Sequence, residues 1–148
     1  MEFAEVASMS MELLSAPYLT KEFGGFYEEE EAKRARIEHL EKTIMFLPYM
    51  AVVDAFQHWA YTNPEMAIEP KKCDERWTEL WNRFQVYDDL DSSEFKDVIA
   101  TGWHNKLHLF HVPFYYVEYG MAQLGAIQVW GNALENQKNA VKQYRHAL

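Results

Sequence analysis

The sequence predicts an all-α fold, and three observations predict it. Apolar residues recur at steps of three and four through several long segments, no alternating apolar–polar run is long enough for a strand, and Pro and Gly punctuate the chain at wide intervals. With 148 residues, 49% of them hydrophobic and 16% aromatic, the chain has enough apolar side chain for one domain with a real core. A single helical unit over residues 1–148 is therefore expected.

A first helix is predicted over about residues 2–16, because the residue before Pro17 is pushed out of helical backbone space. The stretch Thr20 to Tyr27, with Gly24-Gly25, reads as a loop. Glu28, Glu29, Glu30 and Glu31 then open a long helix, where four carboxylates complement the macrodipole, and the run reads as a solvated helix start. Within this helix Ile37, Leu40, Ile44, Leu47 and Ala51 form one expected buried stripe that continues toward Phe56 and Trp59. Pro48 interrupts the stripe, and a kink or break is expected there.

Beyond Asn63-Pro64 and Glu69-Pro70, the residues Trp77, Leu80, Trp81 and Phe84 fall at i, i+3, i+4 and i+7 and predict a third helix. Asp89 to Ser93 is a polar break in which Ser92 or Ser93 can cap a short helix running toward Ala100. The last segment carries Tyr116, Tyr119, Gln123, Ile127, Trp130 and Leu134 near a 3.5-residue step. Gly120, Gly125 and Gly131 are interleaved with them, which suggests close approach of another backbone or of a bound peptide.

A formal charge of −9 and a pI near 5.1 argue against binding nucleic acid or an anionic membrane. The single Cys73 has no partner for a disulfide or a thiolate metal knuckle, which favours a reducing compartment. Nothing approaches the roughly 18 consecutive apolar residues of a membrane span. The N-terminus enters an apolar pattern at once, with Phe3, Ala4, Val6 and Ala7, and the chain stops at His146-Ala147-Leu148 without a cap. Both ends are expected to continue into something larger.

Two groups of residues could carry chemistry. Glu5 and Glu12 lie seven apart, two helical turns, and share a face of the first helix. His104 and His108 have the i, i+4 spacing of a helical zinc motif, but Asn105 cannot take a proton from a metal-bound water, and Lys106 adds positive charge where a cation would sit. The segment from His108 through His111, Tyr115, Tyr116 and Tyr119 brings imidazole and phenol donors together on a turn and the helix after it. Converging donors can stabilise a developing oxyanion, and the same pattern also describes a tyrosine-rich core face.

Three blocks of the chain resemble the oligoendopeptidase F family of zinc metallopeptidases. They are Phe3-Ala4-Glu5-Val6-Ala7-Ser8-Met9, Ala55-Phe56-Gln57-His58-Trp59, and the long run from Pro113-Phe114-Tyr115-Tyr116-Val117-Glu118-Tyr119-Gly120 to Ala126. The resemblance implies the C-terminal helical part of a zincin-like oligopeptidase fold, as in the related thimet-type oligopeptidases, truncated at both ends. In that family an H-E-x-x-H helix supplies two zinc ligands and the general base, and a glutamate on a following helix supplies the third ligand.

The resemblance assigns that third ligand to Glu5, gives Glu12 an orienting role, and makes His108, Tyr116 and Tyr119 the transition-state donors, with His111 and Tyr115 as alternates. It further implies cytoplasmic, zinc-dependent hydrolysis of peptide bonds in short peptides. No H-E-x-x-H occurs in these 148 residues. The chain alone is therefore expected to be inactive and to hold no zinc, its partner being the missing N-terminal catalytic part. The other reading is a non-catalytic helical module that binds or self-assembles, forming a homo-oligomer through surfaces the missing part would cover.

Overall fold

A computed structural model describes residues 2–84 and 93–148, apart from the side chains of Glu2 and Phe3. The described residues form an all-α fold, with one isolated bridge between Thr20 and Tyr27. The helices are α1 (Glu2–Ser15), α2 (Glu29–Thr62), α3 (Pro64–Ala67), α4 (Pro70–Phe84), α5 (Lys96–Ala100), α6 (Leu107–His111) and α7 (Tyr116–Ala147). Short 3-10 turns join several of them. No helix among the described residues is long and apolar enough to cross a membrane. The chain divides into two compact units, one comprising the residues through Ile44 together with Glu118–Leu148, the other Met45–Val117.

In the first unit α1 ends at Ser15, and Pro17 falls in a 3-10 turn, Ala16–Tyr18, so the proline stops the helix as expected. The loop that follows closes on itself. The N–H of Tyr27 donates to the carbonyl of Leu19, and those of Lys21 and Gly25 donate to Tyr27 and Thr20. A Cβ on Gly25 would fall 2.1 Å from the Leu19 carbonyl oxygen, so no other residue fits there. At the start of α2 the Glu31 carboxylate accepts the N–H of Glu28 at 3.0 Å, the returning half of a capping box, and the rest of the acidic run is exposed.

The core of this unit joins α1 to the C-terminal half of α7. Leu14, Ala133, Ala140 and Tyr144 are buried together, with Ala7, Val129 and Val141 packed against them. Two side chains of α7 satisfy backbone carbonyls of α1: Tyr144 Oη donates to Ala7 at 2.9 Å and Gln137 Nε2 to Leu14 at 3.0 Å. A Cβ at Gly125 would meet both Val6 methyls at 3.3 and 3.4 Å, so what packs closely there is a side chain of α1 and not the expected backbone. Gly131 faces open space, so no other backbone approaches it closely. Asn136 leaves helical geometry at φ −154° and ψ 91°, and its Oδ1 accepts the N–H of Asn139, which recaps the last turns of α7.

One expectation about α2 needs correction. Ile37 and Ile44 are 49% and 64% exposed, so the five-residue stripe is not one buried face. The buried positions are Ala32 and Thr43 in the first unit and Val52, Val53, Phe56 and Gln57 in the second. A periodic pattern says which residues share a side of a helix, but not which side the rest of the chain covers. Of the kink or break expected at Pro48, the break does not occur, since the helix runs through the proline for all 34 residues.

The second unit is built around aromatic rings. Phe56 of α2 packs against Trp59, Trp77 and Trp103 with centroids 5.7, 5.3 and 5.8 Å apart. Cys73, Trp77 and Leu80 form the buried face of α4, in line with the predicted spacing, and the Cys73 thiol donates to the Ala67 carbonyl. Trp103 Nε1 donates to Asp74 at 2.8 Å. Of the predicted capping serines, Ser92 lies outside the described residues. Ser93 opens a 3-10 turn, Ser93–Phe95, ahead of α5, whose own N-cap is Phe95.

These environments predict opposite outcomes for two apolar residues of similar sequence character. Trp77, 1% exposed, should lose about 3–5 kcal/mol on replacement by Ala. Ile44→Ser should change stability by no more than about 0.5 kcal/mol. Denaturant unfolding of both variants checks this, and an equal loss at Ile44 would reinstate the buried stripe.

Candidate functional site

Each candidate residue is placed by the unit to which it belongs. Glu5, Glu12 and Tyr119 are in the first unit, and His108, His111, Tyr115 and Tyr116 in the second. On α1 Glu5 is half-buried and Glu12 exposed. The Glu12 carboxylate lies 3.9 Å from His39 Nε2 of α2, at ion-pair reach. Both line a cavity of about 290 Å³ that also takes in Arg36, Tyr27, Leu13 and Trp130. Arg36 spans its rim, donating to the Ala16 carbonyl at 3.3 Å and pairing with Glu29 at 3.2 Å. Neither Arg36 nor His39 was singled out from the sequence, because the contact depends on α2 lying beside α1 and not on any spacing.

In the second unit the structure brings His108 and Tyr116 together. His108 is on α6 and Tyr116 is the first residue of α7, and their rings meet edge to face at 5.0 Å. Tyr116 is buried, with Tyr49 and Phe46 at 6.2 and 6.1 Å. Lys106 completes the group. Its Nζ donates to Tyr116 Oη at 3.3 Å and lies 4.6 and 4.5 Å from the ring centres of Tyr49 and Tyr116, a cation held between two π faces.

Burial lowers the pKa of Lys106 and raises that of the Tyr49 phenol. The His108 imidazole is lowered by burial first and by the neighbouring Lys106 charge second. His111 is exposed at the end of α6, and Tyr115 is half-buried in the turn before α7. His104 and His108 share no helix, because Lys106, at φ −92° and ψ 89°, separates a 3-10 turn from α6. Their helical spacing is therefore not realised as a pair.

Among the described residues no three His, Cys, Asp or Glu side chains converge as a metal-binding group. Glu5 can offer one carboxylate, and a catalytic zinc needs three protein ligands. Compared with known proteins, residues 1–148 match the model of peptidase family M3. No curated protein and no solved structure matches.

The lowered pKa of His108 has a consequence for stability. Between the ordinary histidine value of about 6.5 and its lower folded value, the unfolded chain binds more protons than the folded one, so stability falls as pH drops through that window. Above the window this histidine contributes no pH dependence. His108→Gln should therefore lose less stability than the wild type on acidification from neutral pH, as read by denaturant unfolding across the window. Parallel curves would show that His108 titrates alike in both states.

Proposed function

This chain belongs to peptidase family M3, a family of metallopeptidases, and we propose that it is the C-terminal helical part of a zinc-dependent oligoendopeptidase of the oligoendopeptidase F kind. The complete enzyme hydrolyses peptide bonds in short peptides in the cytoplasm, and the chain alone is inactive. The observation that carries this reading is the family match along all 148 residues.

In the complete enzyme an H-E-x-x-H helix would supply two zinc ligands and the base, and Glu5 would supply the third ligand; a zinc held there would polarise the scissile carbonyl and acidify a water. Glu12 orients its surroundings, for which its approach to His39 is the supporting contact. His108, Tyr116 and Tyr119 present N–H and O–H groups to the oxyanion that forms as the carbonyl is attacked. The edge-to-face meeting of His108 with Tyr116 supports treating these two as one group.

A second reading, a non-catalytic helical module that self-assembles, draws on the apolar side chains left exposed, among them Phe26, Ile68 and Leu134. It predicts a concentration-dependent oligomer with no peptidase activity in any longer form.

Zinc content and hydrolysis of a quenched fluorescent peptide, measured together, test the peptidase reading. The isolated chain should hold no stoichiometric zinc and cleave nothing. The complete enzyme should hold zinc and cleave the peptide, and Glu5→Gln should lower its zinc content and activity in step, because an amide is a poorer ligand than a carboxylate. Full zinc and full turnover in that variant would remove Glu5 from the ligand set.

Tyr119→Phe and Tyr116→Phe in the complete enzyme should each lower kcat far more than they change KM. Loss of one oxyanion donor typically costs roughly 3 kcal/mol, about two orders of magnitude in rate. A tyrosine that only packs would instead lower the melting temperature at near-normal kcat.

A further inference from the structure

Two of the three sequence blocks that carry the family resemblance are joined by a buried hydrogen bond. Gln57, in the block Ala55 to Trp59, is 1% exposed, and its Oε1 accepts the backbone N–H of Phe114 at 2.7 Å. Phe114 stands in the block that runs on into Tyr115, Tyr116 and Tyr119. Both residues lie in the second unit.

Phe114 is the one non-glycine residue with positive φ among the described residues, at 63°. The N–H of Tyr115 donates to the Val112 carbonyl at 3.1 Å, closing a four-residue turn with Pro113 at its second position and Phe114 at its third. That is the pattern of a type II turn, which normally takes glycine at the third position. A bulky residue there is strained, and such strain persists only where the surroundings over-determine it. Here α2 supplies the determinants from three neighbouring positions: the Gln57 carboxamide on the N–H, and the rings of His58 and Tyr61 at 5.1 and 4.9 Å from the Phe114 ring.

The turn is followed by Tyr115 and then by Tyr116, the first residue of α7. A change in the turn's backbone therefore swings the direction in which the tyrosines leave it.

We propose that Gln57 is a positioning residue: its buried carboxamide holds the strained turn at Phe114 and thereby sets where Tyr115 and Tyr116 enter α7. This rests on the reading of the tyrosine segment as oxyanion donors. Gln57 touches neither substrate nor metal in this role. It acts through the Phe114 amide on hydroxyl placement, to which catalysis is sensitive, since about 1 Å of misplacement can cost on the order of a hundredfold.

The test pairs Gln57→Met, which keeps the length of the side chain and removes the acceptor, with Gln57→Glu, which keeps an acceptor oxygen whether protonated or not. In this chain, amide exchange at Phe114 should speed up at least tenfold in Gln57→Met and stay near wild type in Gln57→Glu. In the complete enzyme, Gln57→Met should lower kcat at least tenfold with KM changed less than twofold, and Gln57→Glu should restore most of it.

A Gln57→Met enzyme with normal kcat despite a deprotected Phe114 amide would overturn the proposal and leave the tyrosine assignment standing. Equal defects in the Met and Glu variants would also overturn it, since the acceptor would not be what matters. If Tyr116→Phe and Tyr119→Phe both turn over like wild type, the tyrosine assignment itself fails and the positioning role falls with it.

Discussion

One turn of α2 organises the second unit. Phe56 and Gln57 are adjacent and both buried, yet they meet different partners by different means. Phe56 contributes apolar area, with Trp59, Trp77 and Trp103 around its ring. Gln57 contributes one directional bond, to a backbone N–H that a strained turn presents to it. Burying a carboxamide is unfavourable unless it is hydrogen-bonded; the bond to Phe114 satisfies the Oε1 half and selects one geometry for the turn, while Nε2 is buried with no partner among the described residues. Rings alone would hold α4 and the Gly102–Asn105 turn against α2, but they would not specify a backbone conformation.

The first unit uses the same division of labour at the end of a helix. The last carbonyls of α1 have no partner within the helix, and Pro17 prevents the chain from continuing to supply one. Gln137 reaches the Leu14 carbonyl from α7, while Leu14 itself packs with Ala133, Ala140 and Tyr144. The small residues on α7 let the helices approach, and the polar side chains set their register. Glu5 and Glu12 thus project from a helix whose position is secured at both Ala7 and Leu14.

Positive charge beside the candidate donors rests against π faces. Lys106 donates to Tyr116 and rests on the rings of Tyr49 and Tyr116. Its positive charge and the partial burial of the imidazole both favour neutral His108. A neutral imidazole and a phenol are hydrogen-bond donors at neutral pH without carrying a charge into the group. That is the state in which the pair could serve an oxyanion.

The all-α class, the stop before Pro17, the apolar face of α4 and the acidic opening of α2 were legible in the sequence, because each follows from local chemistry: periodicity, backbone restriction or the helix dipole. The segment from His108 to Tyr119 was legible as a cluster of donors, since it is contiguous. What tertiary structure alone decided is which side of a helix is covered and which distant groups meet. Ile37 and Ile44 carry the same pattern as buried residues and lie exposed, and α2 continues through Pro48. Lys106, read from the sequence as an intruding charge, finds two aromatic faces, and Gln57 finds an amide 57 residues away. Such contacts have no period along the chain, because they are set by the packing of separate elements, and a hydrogen bond between them exists only once both have been placed.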